Sequence, residues 1–350
     1  MQNAAPNPQL SPRDRMKITQ PYAPAVPEGK MAKVIPIRES VGDTLGIPEP
    51  IKDNPVGPRR IEKIKLKPSE ILDGAGLNSL DEGIKEYITA SGDKVWAATD
   101  KGLKDKNEDR VVVDPAYNLA VVIDGMGGMG KGEEAAQLSA ESFLQHPDDP
   151  VTAAISASNI IKNNEKMGSA GACYASTRII IDENGKKYLE TSNAGDVKVL
   201  ILRKGKLIFE SHDDSYVQAL IDSGKITKDE ALYHPERNTV TKGISATHEN
   251  FEFSALPLIP LEKGDLVMGL SDGIIDNITP QEIEEDIIGL KPAEIIHFFS
   301  NTTNDRMKNY PYIINDTEIQ GGRAKLGQFS DGFLSAPKID NRGVAIIEIN

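Results

Sequence analysis

Cysteine is almost absent from this 350-residue chain, and the one thiol, Cys173, excludes an intramolecular disulfide. No apolar run approaches the roughly 20 residues that a membrane-spanning helix needs. The first residues, MQNAAPNPQL, lack the basic and apolar regions of a secretory signal, so a cytoplasmic, reducing location is the expectation. Positive charge is scarce over most of the chain. Residues 1–67 hold 12 Lys+Arg and 7 Asp+Glu, which leaves 28 basic and 46 acidic residues for the remainder. A body that acidic disfavours nucleic acid as its main ligand and suits a protein that gathers carboxylates around divalent cations. What is present otherwise, 39% apolar and 27% charged residues, is globular composition with room for one large domain or two small ones.

Residues 1–60 contain 11 of the 22 prolines and show no sustained period, the pattern of a disordered, proline-rich basic arm. The pieces VIPIR and PRRIEKIKLK give this arm, residues 1–67, a second reading as a docking tail for a partner. Residues 68–92 are expected to form a linker with a short helix, SLDEGIKEYITA, and residues 93–350 the domain. There KVWAATDKG reads as a strand, and RVVVD and LAVVID as a hairpin about the turn PAYN. Residues 133–145 and 151–163 have helical spacing. A block of strands follows, GACYASTRIIID, KKYLETSNAG, DVKVLILR and LIFES, with Asn184-Gly185 a strong hairpin signal. Residues 215–233 read as short and helical, DLVMGLS as a buried strand, and residues near 280–288 and 291–300 as helices. Residues 301–338 are polar and Gly-rich with no evident element, and RGVAIIEI closes as a strand. Two antiparallel sheets packed face to face, with helices over both outer faces, satisfy this order of elements.

The chemistry centres on LAVVIDGMGGMGKGEEAA, residues 119–136, where a β-branched run ends in Asp124 and a glycine-rich turn. An acid at the end of a buried strand beside bare backbone is costly unless a cation or phosphate sits there. Three other places share the pattern: Asn107-Glu108-Asp109 before RVVVD, Ser271-Asp272-Gly273 after LVMGL, and Asp340-Asn341 before VAIIEI. A single Asp-Gly is ordinarily a turn; four such acids at strand ends form a set. Hard divalent ions take carboxylates and backbone carbonyls. Two of them a few Å apart hold a bridging water, lower its pKa and orient it for attack on phosphorus.

The glycine turn has a rival reading as a phosphate cradle, since Gly125 to Lys131 fits G-x-x-x-x-G-K. The Ser or Thr that should follow is Gly132, and the next elements are two helices rather than a second parallel strand. Cys173 reads as a buried strand thiol, His212 as part of a turn, and His234 as a loop residue or a substrate contact.

In order, TDKG…NED, VVIDGMGG…GEEAA, SNAGDVKVLILRKGKL, HPERN, LVMGLSDGIID and DN-RGVAIIEI make the chain resemble the metal-dependent Ser/Thr protein phosphatases of type 2C, the PPM family. DGMGG and HPERN bring the bacterial branch closest. The resemblance spans roughly residues 93–350. It implies an α-β-β-α sandwich with two Mn²⁺ or Mg²⁺ ions at one end and a third, weaker ion. Asp124 would bridge the two, with the Gly125 carbonyl and Glu108 on the first ion and Asp272 and Asp340 on the second. Asp109 would hold water, Asp196 would help with the third ion, Asp276 would support from behind, and residues 212–247 would form a flap beside the substrate. Phosphoproteins, including a Ser/Thr kinase or its targets, would be the partners.

The sequence departs from the family at several points. Lys104 stands where the family has a phosphate-gripping arginine, and an ammonium cannot fork two hydrogen bonds; Lys106 is a second lysine nearby to share the task. Met129 replaces a usual histidine, and Gly168-Ser169-Ala170-Gly171 replaces a GTTA-like segment. These departures motivate an alternative, a catalytically weak or dead pseudophosphatase that binds phosphoproteins as a regulator. The retained acids, costly to hold together, argue for the enzyme.

Overall fold

Alternating apolar residues build two antiparallel sheets, and the alternation decides which side chains lie between them. The computed structural model describes residues 66–127, 131–231, 234, 236–245, 254–308 and 338–350, all within the unit Arg60–Asn350. Among them, one sheet runs β1 (Glu70–Leu72), β4 (Asp109–Asp114), β5 (Leu119–Met126), β6 (Gly171–Ile181), β7 (Lys187–Ala194) and β11 (Ser254–Ala255). Off this path, β10 (Ile244–Ser245) pairs with β6, and β12 (Ile259–Pro260) with β7. The other runs β2 (Lys85–Ile88), β3 (Lys94–Asp100), β14 (Arg342–Glu348), β13 (Leu266–Leu270), β8 (Lys198–Arg203) and β9 (Lys206–Glu210).

Three apolar layers follow from the period of two. Val111, Val113, Ala120, Val122 and Ala175 of the first sheet meet Val95, Ala97, Val199, Val267 and Ala345 of the second. The opposite parity of the first sheet (Val112, Leu119, Val121, Ile123) packs on α1 (Gly132–Gln145) and α2 (Pro150–Lys162). The opposite parity of the second (Trp96, Leu200, Met268, Val344) packs on α5 (Asp272–Ile275), α6 (Pro280–Asp286) and α7 (Pro292–Lys308). The α-β-β-α layering is therefore present. Each buried Val, Leu or Ile contributes about 1.5–3 kcal/mol of transfer free energy, so the three layers dominate stability.

Local signals end the elements. Asp149 caps α2, accepting from Val151 N at 3.1 Å and Thr152 N at 3.0 Å, with Pro150 in the first turn. The β6–β7 turn is held by the Asp182 carboxylate, which accepts from Asn184 N and Lys186 N, while Gly185 takes a φ of +77°. α3 (Tyr216–Asp222) and α4 (Lys228–Ala231) fall where short helices were expected.

Two expectations are corrected. SLDEGIKEYITA is not a helix: residues Leu80–Gly83 make one 3-10 turn and Lys85–Ile88 pair with β3. Leu80 enters the layer under α7 while Tyr87 enters the layer between the sheets, two destinations no single helix face can serve. Both sheets thus recruit strands from before Asp93. Residues 301–308, read as structureless, continue α7 to Lys308. The arm up to residue 65, Gly128, Met129 and Gly130 of the glycine turn, part of the flap, and residues 309–337 lie outside the described residues. Among the described residues, no helix is long and apolar enough to cross a membrane.

Candidate metal centre

Strand parity places the acids. On β4, Asp109 continues the face of Val111 and Val113, and on β5, Asp124 continues the face of Ala120 and Val122. The two are register partners, and Asp124 in turn opposes Cys173 on β6. All three therefore end up between the sheets, at one edge. The facing sheet makes room with small residues: a Cβ on Gly343 would lie 3.1 Å from Val122 and 3.3 Å from Asp109 Oδ2. From that sheet come Asp272, the first residue of α5 directly after β13, and Asp340, just before β14. Asp196 sits in the turn between β7 and β8.

These residues line a pocket of about 200 Å³ formed by Lys104, Glu108, Asp124, Gly125, Asp196, Asp272 and Asp340, with Lys338, Cys173, Met126, Gly127, Asn238 and Val240 completing the wall. Carboxylate oxygens of Asp124, Asp196 and Asp272 lie within 4.8 Å of one another. Of the metal-ligand set expected from sequence, Glu108, Asp124, Gly125, Asp196, Asp272 and Asp340 thus converge on one space. Asp109 stands behind Asp124, buried, with its Oδ2 unpartnered.

The electrostatics are those of carboxylates crowded together in a buried place. Burial, then Asp340 and Asp196, pushes the Asp124 carboxyl up to about 7. Burial and the neighbouring Asp124 push Asp109 well above the carboxylate range, and burial raises Glu108. Asp276 is pushed up to about 7 by burial, with Asp196 and Asp213 adding to the push against Arg237 and Lys198. Burial alone would lower the Lys104 ammonium, but Asp340, Asp124 and Glu108 raise it. Lys104 pairs with Asp340, at the pocket wall. Lys106, offered as its helper, is largely exposed, stands 4.0 Å from Glu133 and does not line the pocket.

The donor set fits hard divalent cations. Asp109 Oδ2, Asp196 Oδ1 and Asp272 Oδ1 are buried oxygens without a hydrogen-bond partner, an expensive state for carboxylates that an ion would relieve.

Backbone staples fix the loops that carry these groups. Asn341 Nδ2 donates to Lys101 O at 3.0 Å and Lys106 O at 2.7 Å, while its Oδ1 accepts from Glu108 N at 2.8 Å. One amide thus ties the loop of Lys104 and Glu108 to the start of β14. Gly132 packs on this loop through its missing side chain: a Cβ there would stand 2.6 Å from Gly125 O and 2.9 Å from the Glu108 carboxyl carbon. A close backbone approach therefore explains this glycine, and β5 and β6 are antiparallel rather than the parallel pair of a dinucleotide fold. The segment expected as a flap is bonded to the Asp196 turn, Asp214 N donating to Gly195 O at 2.8 Å. His212 Nε2 lies 2.8 Å from Asp222, and His234 Nδ1 accepts from Glu236 N at 3.1 Å; neither lines the pocket.

Three polar or thiol residues of the pocket are not marked as such in the sequence. Cys173 was expected as a buried strand thiol, and it is one, but its Sγ, 3.5 Å from Met126 Sδ, also faces the centre. Asn238, the last residue of HPERN, carries no local pattern that points to the pocket. Lys338, two residues before Asp340, also lines the pocket, and the polar stretch before it carries no period that would single it out.

No family model matches the chain. It is 31% identical over 211 residues to the Ser/Thr protein phosphatase PstP of Mycobacterium tuberculosis, an alignment that covers 57% of this chain and 40% of that protein. The chain therefore spans less than half the length of this relative. It is 27% identical over 212 residues to the Ser/Thr phosphatase stp of Listeria welshimeri, covering 55% of this chain and 82% of the relative. In fold it is similar to the catalytic domain of PstP solved in complex with two manganese ions, with a TM-score of 0.54 and 21% identity over 73% of this chain and 98% of that one.

Proposed function

We propose that this chain, a member of the bacterial-type PPM phosphatase family, is a metal-dependent Ser/Thr protein phosphatase that hydrolyses phosphoserine and phosphothreonine. The observation that carries this reading is the convergence of the Asp124, Asp196 and Asp272 carboxylates in a pocket bordered by Lys104.

Mn²⁺ or Mg²⁺ would be held by Asp124 and the Gly125 carbonyl with Glu108 on one side, and by Asp272 and Asp340 on the other, with Asp196 available to a third ion. Bound there, the ions would neutralise the acids and supply the Lewis acidity that makes water nucleophilic at neutral pH. The remaining tasks belong to side chains. The Lys104 ammonium, freed from Asp340, would pair with the substrate phosphate as a point charge and orient the phosphorus towards the centre. Asp109, fixed opposite Asp124 by the ladder, would hold a water of the metal centre. Asp276, the residue that follows α5, would buttress the Asp272 turn. No protein nucleophile is required.

The domain would take in the two sheets and their helices, with residues 212–247 as a flap near the substrate. We place the enzyme in the cytoplasm, opposing a Ser/Thr kinase on shared targets, with residues 1–67 as a partner-docking arm.

The test is hydrolysis of p-nitrophenyl phosphate and a phosphothreonine peptide with Mn²⁺, with Mg²⁺ and with EDTA. Turnover is expected only with metal and is expected to vanish in Asp124→Asn while the circular dichroism of the fold persists. Equal activity in that variant would overturn the site; Mn²⁺ binding too weak to detect would favour the phosphoprotein-binding alternative.

A further inference from the structure

The acids at the Asp272 side of the centre already hold a cation that belongs to the chain. Lys338 is buried, its side chain 7% exposed, and its Nζ pairs with Asp272 Oδ2 and stands 3.5 Å from Asp276 and 3.9 Å from Asp340. Its backbone is fixed as firmly. Asn277 Oδ1 accepts from Lys338 N at 3.1 Å, and Asn277 Nδ2 donates to Lys338 O at 2.9 Å and to Gly273 O at 2.8 Å. Asp272, Asp276 and Asn277, three residues of one short segment, therefore hold this lysine from both ends. Lys104, the other pocket ammonium, is placed differently: its side chain is 37% exposed, and among the described residues its one ion pair is with Asp340.

An ammonium in so dry a place persists only while its charge is matched. Here it is matched by the oxygens that the second divalent ion would use, Asp272 and Asp340. A divalent ion and an ammonium cannot share one carboxylate edge without strong repulsion. Asp272 Oδ1 remains unpartnered on the pocket side, so an arriving ion meets a carboxylate half taken.

We propose that Lys338 is a tethered counter-cation that competes with a divalent ion for Asp272 and Asp340, so that this lysine sets the affinity of the second ion. The proposal rests on the two-ion reading above. In the metal-free protein Lys338 neutralises the acids and keeps the centre assembled; the ion enters by displacing Nζ from Asp272. Lys338 acts on the reaction through the metal, as a positioning residue.

Calorimetric Mn²⁺ titration of the full chain tests this, comparing wild type with Lys338→Met and Lys338→Arg. Lys338→Met is expected to tighten the weaker Mn²⁺ step on the order of tenfold, to lower the Tm in EDTA, and to enlarge the rise in Tm on adding Mn²⁺. Lys338→Arg, which keeps the charge, is expected to stay near wild type. Unchanged Mn²⁺ affinity in Lys338→Met overturns the proposal, including the case in which only KM rises, which would make Lys338 a phosphate contact. Absence of Mn²⁺ binding to the wild type overturns the phosphatase reading as well. Should Lys338→Met not fold, reductive methylation of the wild-type chain with peptide mass mapping decides: Lys338 is expected to be protected in EDTA and modified in Mn²⁺. Equal protection in both overturns competition.

Discussion

Asp124 is the residue whose charge the fold perturbs most plainly at the centre. Its carboxyl is pushed up to about 7 by burial and by Asp340 and Asp196, against an ordinary value of 3.8. Between those values the metal-free folded chain holds a proton that the unfolded chain has released. The stability linked to this group is therefore fully present below about pH 4 and is lost as pH rises towards about 7. In EDTA the Tm is expected to fall from about pH 5 to about pH 7.5, and Asp124→Asn is expected to flatten that slope in thermal denaturation followed by circular dichroism. Lys104→Arg is expected to lower KM for p-nitrophenyl phosphate, because a fork grips phosphate where a point charge only attracts it; an unchanged KM would remove Lys104 from the phosphate. Gly132→Ala sets a Cβ against the Gly125 carbonyl and the Glu108 carboxyl, and the expected loss is about 1–3 kcal/mol in urea denaturation. The acids themselves were legible in the sequence, since each ends or precedes an apolar run and charges there ask for a partner. Lys338 was not, because the stretch before it carries no period to say which side of the chain faces inward. Gly132 was legible only as a failed phosphate loop; its neighbour across the turn is set by how α1 docks on β5.

Helix termini and strand partners decide what each element contributes. The α6 start is a reciprocal box, Thr279 Oγ1 accepting from Glu282 N at 3.1 Å and the Glu282 carboxylate accepting from Thr279 N at 2.9 Å. Arg306 of α7 then grips Glu282 at 2.7 Å and also donates to the Asn277 carbonyl, so the two helices are linked to the residue that clamps Lys338. Thr279→Ala is expected to cost about 1 kcal/mol in chemical denaturation and to leave Mn²⁺ affinity unchanged, since Arg306 still holds Glu282 and the Asn277 carbonyl together. The hairpins and the long helices were legible because period and turn residues agree, as at Asp182 to Lys186. SLDEGIKEYITA misled because Leu80, Ile84 and Tyr87 fall at helical spacing. Only the placement of β3, with a core layer on each of its faces, shows why Leu80 and Tyr87 separate.

Across the whole molecule, the two sheets come together at the edge where their acids meet, so ion binding and global stability are linked. An ion at a hundred times its dissociation constant adds about 2.7 kcal/mol to a fold that alone binds it. Thermal unfolding of the wild type is accordingly expected to shift upward with Mn²⁺ concentration, and that of Asp124→Asn to shift far less. The layered architecture was legible from the order of elements alone, whereas which acids share one pocket depended on register, which no local pattern carries. Strand order has a further consequence, for synthesis in the cell. β14 lies between β3 and β13, yet it is the last of the described strands in sequence. While the ribosome is still translating towards residue 342, β3 and β13 have no neighbour on their inner sides, and Asp100 lacks the Arg342 that neutralises it. Unpaired strand edges are templates for other chains. The nascent polypeptide therefore passes through an interval in which a chaperone has two open edges to shield, and that interval closes when the seven residues Arg342–Glu348 clear the exit tunnel.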